Sequence, residues 1–334
     1  ATEHAGWTLQ SARDLGDPDL IVRALGALAE LAWMNHEPDE ATRYWTEALE
    51  ILRETNDLPR MRVMMSNLSM VWIFKQDYAK AYRYANESLE IARELGEPGG
   101  VMSLLQRLAR LKKIQGHFDE ALALQEEQLR LAREIGAKEH IASSLHNMGC
   151  YILDSGDDPN KAIPLFEETL VLYEEIGNPE SLANCCRNLA RALHLAGDIE
   201  GAEAGFRKAL YITGESYNLG LGMIEMDRGT LAEARKHIRG VLDKAWQAQD
   251  RSRIARILVE FGRLVSKEGN PDLAARYLIH ADLANTGDYA GPEIDEGRAV
   301  LRRIADEMGP AFEEFRQKTE EMSLEQVVER ALEG

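Results

Sequence analysis

The chain has 334 residues, of which 45% are hydrophobic and 29% charged, and its formal net charge at pH 7 is −18. This excess of carboxylates disfavours general binding to nucleic acid. No run of about 18 apolar residues is present that would span a membrane. The three cysteines, Cys150, Cys185 and Cys186, are too few for a disulfide framework. We therefore expect a cytoplasmic protein with reduced cysteines that binds neither nucleic acid nor a membrane.

A pattern with a period of about 40 residues runs through most of the sequence. Each period contains two apolar stripes of helical spacing, separated by a short turn. An alanine recurs at one position of the second helix, at Ala1, Ala41, Ala81, Ala121, Ala162, Ala202, Ala234 and Ala274. A leucine follows it by eight residues, at Leu9, Leu49, Leu89, Leu129, Leu170, Leu210 and Leu242. The pattern predicts helical hairpins that are unstable alone and stack on their neighbours.

In chain order, residues 1–17 match the second helix of a repeat whose first helix is missing, so we expect that longer sequence once preceded them. Seven repeats follow over residues 18–288, and the sixth is eight residues short. Gly220 and Gly222 fall in the first helix of that short repeat, where glycine lowers helix stability. We therefore expect a bend in the stack at this point.

The period ends before residues 289–334, which predict a helical cap of different construction. Helices are expected near 293–308, 311–321 and 324–333. Ser323, followed three residues later by Gln326, has the spacing of a capping box at the start of the last helix. A polar terminal element is what a stack of repeats needs at its end.

The order of apolar and small residues around each turn, as in Leu108, Ala109, Gly116 and Ala121, resembles the tetratricopeptide repeat. The long period is similar to the MalT-like variant found in bacterial signal-transduction ATPases of the STAND class. The segment Met308–Leu332 resembles the end of the repeat region in NB-ARC and LuxR-type regulators. The resemblance implies an all-α, right-handed superhelical solenoid whose first helices line a concave groove.

Charge is distributed unequally between the two helices of a repeat. In repeats two to five, the first-helix segments contain ten Lys/Arg and three Asp/Glu, whereas the second-helix segments contain eight and twenty. The first-helix segments are 58–76, 98–116, 138–156 and 179–197, and each second-helix segment follows directly. By the resemblance, an acidic protein would therefore have a basic concave groove.

Equivalent positions on these first helices supply the candidate ligand-binding residues. Asparagine can hold the backbone of an extended peptide, arginine can bind a carboxylate through two hydrogen bonds, and aromatic or thioether side chains would add an apolar patch. The candidates are Asn67, Met70, Phe74, Arg107, Arg110, Asn147, Arg187, Asn188 and Arg191. The alternative is an ordinary solvated helix face, with basic residues such as Lys112 neutralised by nearby glutamates.

The common sequence motifs of catalysis and metal binding are absent. The sequence has no GxxxxGK[ST] loop, no HExxH pair and no Gly-x-Ser-x-Gly elbow. His146 and Cys150 are one helical turn apart and would need ligands such as Cys185 or His194 to hold a metal. Because only the first pair has evident geometry, we expect ordinary helix residues here, no metal, no cofactor and no enzymatic activity.

Two functions remain open at this point. In the first, the chain is the non-catalytic sensor region of a larger signalling ATPase or transcription regulator. It would bind a peptide, protein or small anionic effector in the basic groove and contact the rest of its parent protein. In the alternative, it is a stand-alone scaffold or adaptor that holds several partner proteins together.

Overall fold

The computed structural model describes residues 2–214, 218–284 and 292–333. Within these ranges the chain forms 18 α-helices and one short 3-10 turn, and has no β-strand. Residues 1–140 and 141–334 form two compact units. The predicted all-α repeat solenoid is confirmed, because each unit consists of consecutive packed helical hairpins.

The first unit contains one leading helix and three hairpins. The leading helix α1 packs on α2, and the hairpins are α2/α3, α4/α5 and α6/α7. The bounds are α1 Thr2–Leu15, α2 Pro18–Met34, α3 Pro38–Thr55, α4 Leu58–Phe74, α5 Tyr78–Glu94, α6 Pro98–Ile114 and α7 Phe118–Ile135. Helix α8, Lys138–Asp154, starts at the end of this unit and runs into the next.

The second unit continues with hairpins and ends in three helices. Helix α10 packs against both α9 and α11, and the next hairpins are α12/α13 and α14/α15. The bounds are α9 Ile163–Ile176, α10 Pro179–Leu195, α11 Ile199–Thr213, α12 Leu219–Asp227, α13 Leu231–Gln247, α14 Arg251–Lys267, α15 Pro271–Ala284, α16 Pro292–Met308, α17 Ala311–Glu320 and α18 Leu324–Glu333. The 3-10 turn, Pro159–Lys161, precedes α9.

The recurring alanines are buried near the starts of the second helices of their hairpins. Seven of them, Ala41, Ala81, Ala121, Ala162, Ala202, Ala234 and Ala274, have no exposed surface. A larger side chain at such a position would overpack the contact between the helices. The eighth, Ala1, lies outside the described residues.

In the short sixth repeat, the two glycines of the first helix have a packing role that the repeat pattern does not predict. Its first helix, α12, is only nine residues long, but Gly220 and Gly222 are buried in it. A Cβ on Gly220 would come within 2.1 Å of the Phe206 ring. This glycine therefore lets two neighbouring hairpins pack closely, which explains a residue that is unfavourable for the helix alone. The bend expected here stays a prediction, because residues 215–217 lie outside the described part.

The three C-terminal helices pack back on the last repeats. Helix α16 contacts α14 and α15, α17 contacts α15, and α18 contacts α13 and α15. The capping box is confirmed: the Ser323 amide donates to Gln326 Oε1 at 2.9 Å, and the Gln326 amide donates to Ser323 Oγ at 3.2 Å. The division at residues 17 and 288, and the role of this segment as a cap, remain predictions.

Candidate ligand-binding site

In the first unit, two of the basic side chains on α6 are engaged within the chain. The Arg107 guanidinium donates to the carbonyl oxygen of Ser66 and, at 3.0 Å, to its hydroxyl oxygen. Lys112 Nζ lies 2.7 Å from a carboxylate oxygen of Glu120 and 4.6 Å from the centre of the Tyr82 ring. The charge of Lys112 is therefore neutralised by a nearby glutamate, Glu120.

The other first-unit candidates differ in exposure. Asn67 and Met70 are half-buried, whereas Arg110 is exposed. The Phe74 side chain is 59% exposed. Its ring meets that of Trp33 edge to face, with 5.6 Å between the ring centres. In the first unit, these two aromatic residues form an apolar contact between the ends of α2 and α4.

A pocket of about 570 Å³ lies in the second unit, lined mainly by the first helices of three successive hairpins, α10, α12 and α14. Its volume is in the range of ligand-binding pockets. The charged and polar side chains along α10 and α14 are Glu180, Asn184, Arg187, Asn188, Arg191, His194, Asp250, Ser252, Arg253 and Arg256. The buried apolar side is formed by Phe206, Gly220, Met223, Val241 and Ile257.

One arginine of this pocket, Arg191, is hydrogen-bonded to two carboxylates. Its Nη1 donates to Asp154 Oδ1 at 2.9 Å, and its Nη2 donates to Glu293 Oε2 at 2.7 Å. Its Nε also donates to the second oxygen of Glu293, so that pair is bidentate. Burial alone would raise the pKa of Glu293, but the Arg191 guanidinium holds that pKa at about 2.

Asn188 and Asn184 face a buried histidine as well as the pocket. Asn188 Nδ2 lies 3.1 Å from His146 Nε2 and 3.4 Å from Cys150 Sγ, and Asn184 Nδ2 lies 3.5 Å from the same histidine nitrogen. Burial lowers the pKa of His146 to about 4, so the ring is neutral at pH 7. His146 and Cys150 thus contact amides, and no group of three His, Cys, Asp or Glu side chains suited to a metal occurs among the described residues.

The structure brings together three of the predicted second-unit residues: Arg187, Asn188 and Arg191 all line the pocket. Asn147 is half-buried and lies outside the lining. Binding of a ligand by any of the nine candidate residues stays a prediction. Glu293, which accepts hydrogen bonds from the guanidinium of Arg191, lies outside the repeats. The repeat pattern therefore did not predict its role.

The pocket-lining residues on α14 could be predicted from the repeat pattern of the sequence. Arg256 occupies the repeat position of Asn184, counted from the buried Phe261 in its own repeat. The candidate residues follow one positional rule, which covers repeats two to five. In the seventh repeat the same rule gives Glu260 and Arg263, which form a buried ion pair on α14.

Comparison with known proteins identifies the repeats. A tetratricopeptide-repeat family model matches residues 60–134 and 100–175, and a second matches residues 182–218. Residues 60–175 and 182–218 therefore contain tetratricopeptide repeats. The search of the curated proteins found no significant match. No helix in the described ranges is long and apolar enough to cross a membrane.

Several solved structures resemble this chain in fold. Aspartyl phosphate phosphatase F from Bacillus subtilis has a TM-score of 0.67 and 15% identity, over 85% of this chain and 76% of that one. The apo quorum sensor NprR from B. thuringiensis has a TM-score of 0.62 and 14% identity, over 90% and 81%. A STAND protein with a tetratricopeptide repeat sensor, from Pyrococcus horikoshii, has a TM-score of 0.51 and 16% identity, over 89% of this chain but 44% of its own. At these identities the likeness shows the fold alone.

Proposed function

We propose that this chain is a non-catalytic sensor region that binds a peptide or protein effector in the pocket of its second unit. The parent protein would be a cytoplasmic signalling ATPase or transcription regulator of the kind that carries MalT-like repeats. The observation that supports the proposal best is the pocket itself, where α10 and α14 contribute arginine side chains, α10 contributes amides, and α12 contributes to the buried apolar side. Such a ligand shifts a signalling equilibrium only through different affinities for its two states.

The chemistry of the lining favours a short acidic segment with one apolar side chain. Besides Arg191, the lining contains three arginines, Arg187, Arg253 and Arg256, and two carboxylates, Glu180 and Asp250, so arginines outnumber carboxylates there. Guanidinium groups suit a carboxylate, and amides suit a peptide backbone. The apolar side would take an aliphatic or aromatic group.

The rival function, a scaffold for several partners, has an observation of its own. Val171 on α9 and Tyr211 on α11 are 56% and 89% exposed, and both lie on second helices of the second unit. The two residues occupy equivalent positions of successive repeats, one residue after Leu170 and Leu210. A contiguous patch of such side chains would suit a protein partner. A scaffold would bind its partners there and be indifferent to changes in the pocket.

A binding experiment separates the two functions. The full chain is immobilised and exposed to a pool of randomised seven-residue peptides with free carboxylates, and the retained peptides are sequenced and titrated. We expect retention of peptides rich in Asp and Glu, with affinity reduced about 10–100-fold in Arg187→Glu, since a charge-assisted hydrogen bond contributes about 1.5–3 kcal/mol.

The matched control is Arg130→Glu, which reverses an exposed arginine on α7 of the first unit and should leave peptide binding unchanged. Equal affinities in the wild type and in Arg187→Glu would contradict the sensor proposal. Loss of binding in a Val171→Asp/Tyr211→Asp variant instead would favour the scaffold.

A further inference from the structure

The bidentate pair between Arg191 and Glu293 joins two distant parts of the second unit. Arg191 belongs to α10 in the wall of the pocket, whereas Glu293 lies 102 residues later in the first turn of α16. Both side chains are largely buried, at 12% and 10% exposure. The glutamate carboxylate thus takes the two-point position on a pocket arginine that the carboxylate of a ligand would take.

The second partner of Arg191 has a different origin. Asp154 lies at the end of α8, in the helical repeats, and its side chain is 14% exposed. It holds the guanidinium in place from the repeats themselves. Of the two carboxylates, only Glu293 comes from the C-terminal segment and is therefore able to leave while the repeats stay as they are.

Helix α16 has other attachments that would keep it on the protein. Ile294 and Ile304 are buried, and Glu296 pairs with Arg263. At Gly297, an added Cβ would lie 2.7 Å from Val259 Cγ1, so the helix rests directly on α14. Release of Glu293 would therefore loosen the first turn of α16 without detaching the helix.

Charge decides what is able to replace Glu293. A neutral ligand would leave the buried Arg191 with Asp154 alone, which is unfavourable because a buried charge needs its partners. A carboxylate that takes the place of Glu293 restores both hydrogen bonds, while Glu293 moves toward solvent. The exchange is thus selective for anionic ligands.

We propose that Glu293 is a built-in carboxylate that occupies the ligand position at Arg191, and that a carboxylate-bearing peptide effector displaces it and frees the first turn of α16. This inference rests on the proposed function and adds its regulation. It makes α16 the element through which occupancy of the pocket is passed on.

The test measures peptide affinity and amide hydrogen exchange on the full chain. The probe is the pool of randomised seven-residue peptides, prepared once with free carboxylates and once with the C-terminus amidated and the acidic residues replaced by Asn and Gln. In Glu293→Gln, retention of the carboxylate pool should rise at least about tenfold relative to the wild type, whereas retention of the neutral pool should not change. In the wild type, the bound carboxylate peptide should speed exchange in the first turn of α16.

Two further variants keep the result interpretable. Asp154→Asn removes the other partner of the same guanidinium and should not raise peptide affinity, so it controls for loosening of the fold. Glu293→Asp keeps the charge but shortens the reach; it should give an intermediate rise and replaces Glu293→Gln if that variant does not fold.

The outcomes separate the two proposals. Peptide binding that depends on Arg187 but is equal in the wild type and both Glu293 variants would overturn the displacement of Glu293 and leave the proposed function standing. Absence of any Arg187-dependent binding, in the wild type and in the Glu293 variants, would overturn both. A rise of the same size in Asp154→Asn would also overturn the inference, because it would assign the effect to general loosening.

Discussion

Glu293→Gln is expected to lower the free energy of unfolding at pH 7 by about 3–5 kcal/mol, the usual cost of removing one partner from a buried ion pair. The substitution leaves Arg191, at 12% exposure, with only Asp154 to balance its charge. Urea unfolding followed by helical circular dichroism measures this as a lower midpoint at an unchanged slope.

Glu296, which lies on the same helix as Glu293, provides the control for this prediction. Glu296 is 56% exposed and pairs with Arg263, so Glu296→Gln should cost only about 0–1 kcal/mol. Equal losses in the two variants would contradict the account, because they would mean that the buried position of Glu293 has no energetic consequence.

The pH dependence of Glu293 has a definite sign. Its pKa in the folded protein is lowered from 4.5 to about 2 by the Arg191 guanidinium, against the effect of burial. A lowered folded-state pKa contributes stability that is present above about pH 4.5 and is lost as the pH falls toward 2. The stabilities of the wild type and Glu293→Gln should therefore converge in that acidic range.

Glu260→Gln should have the opposite pH profile and a similarly large effect. Glu260 is 2% exposed on α14, with Arg263 Nη1 at 2.7 Å from one of its oxygens. Burial raises its pKa from 4.5 to about 7, although Arg263 and Arg256 oppose this and Glu293 and Glu296 add to it. Because the folded-state pKa is raised, stability is fully present below about pH 4.5 and is lost as the pH rises through 7.

The measurement is urea unfolding of the wild type and Glu260→Gln at pH 5 and pH 8. At pH 5 the two should differ little, because the wild-type carboxyl is then largely protonated. At pH 8 the glutamine variant should be more stable by up to about 3 kcal/mol, the free energy that corresponds to a pKa shift of this size. A difference that is the same at both pH values would show that Glu260 does not titrate in this range.

The repeat architecture follows from the sequence because each hairpin carries its own signal. The recurring alanines mark the buried face of each second helix, and all seven that the structure describes are fully buried. Stacking is a nearest-neighbour property, so a periodic pattern specifies it unit by unit. Arg187, Asn188 and Arg191 reach one pocket for the same reason, since they lie on one first helix.

The features that could not be predicted from the sequence depend on contacts between segments that are distant in the chain. Glu293 lies beyond the last repeat, and its position against Arg191 depends on how α16 packs on α14, which no periodic pattern encodes. The local sequence makes Gly220 unfavourable for its helix, whereas in the fold Gly220 accommodates the Phe206 ring. Both cases are tertiary contacts that outweigh a local preference.

The most direct test of peptide binding by the second-unit pocket is amide hydrogen exchange of the full chain, with and without a peptide retained from the randomised carboxylate pool. We predict slower exchange in α10, α12 and α14, faster exchange in the first turn of α16, and no change in α4 and α6 of the first unit. Protection confined to α4 and α6, or to the second helices α9 and α11, would contradict the account.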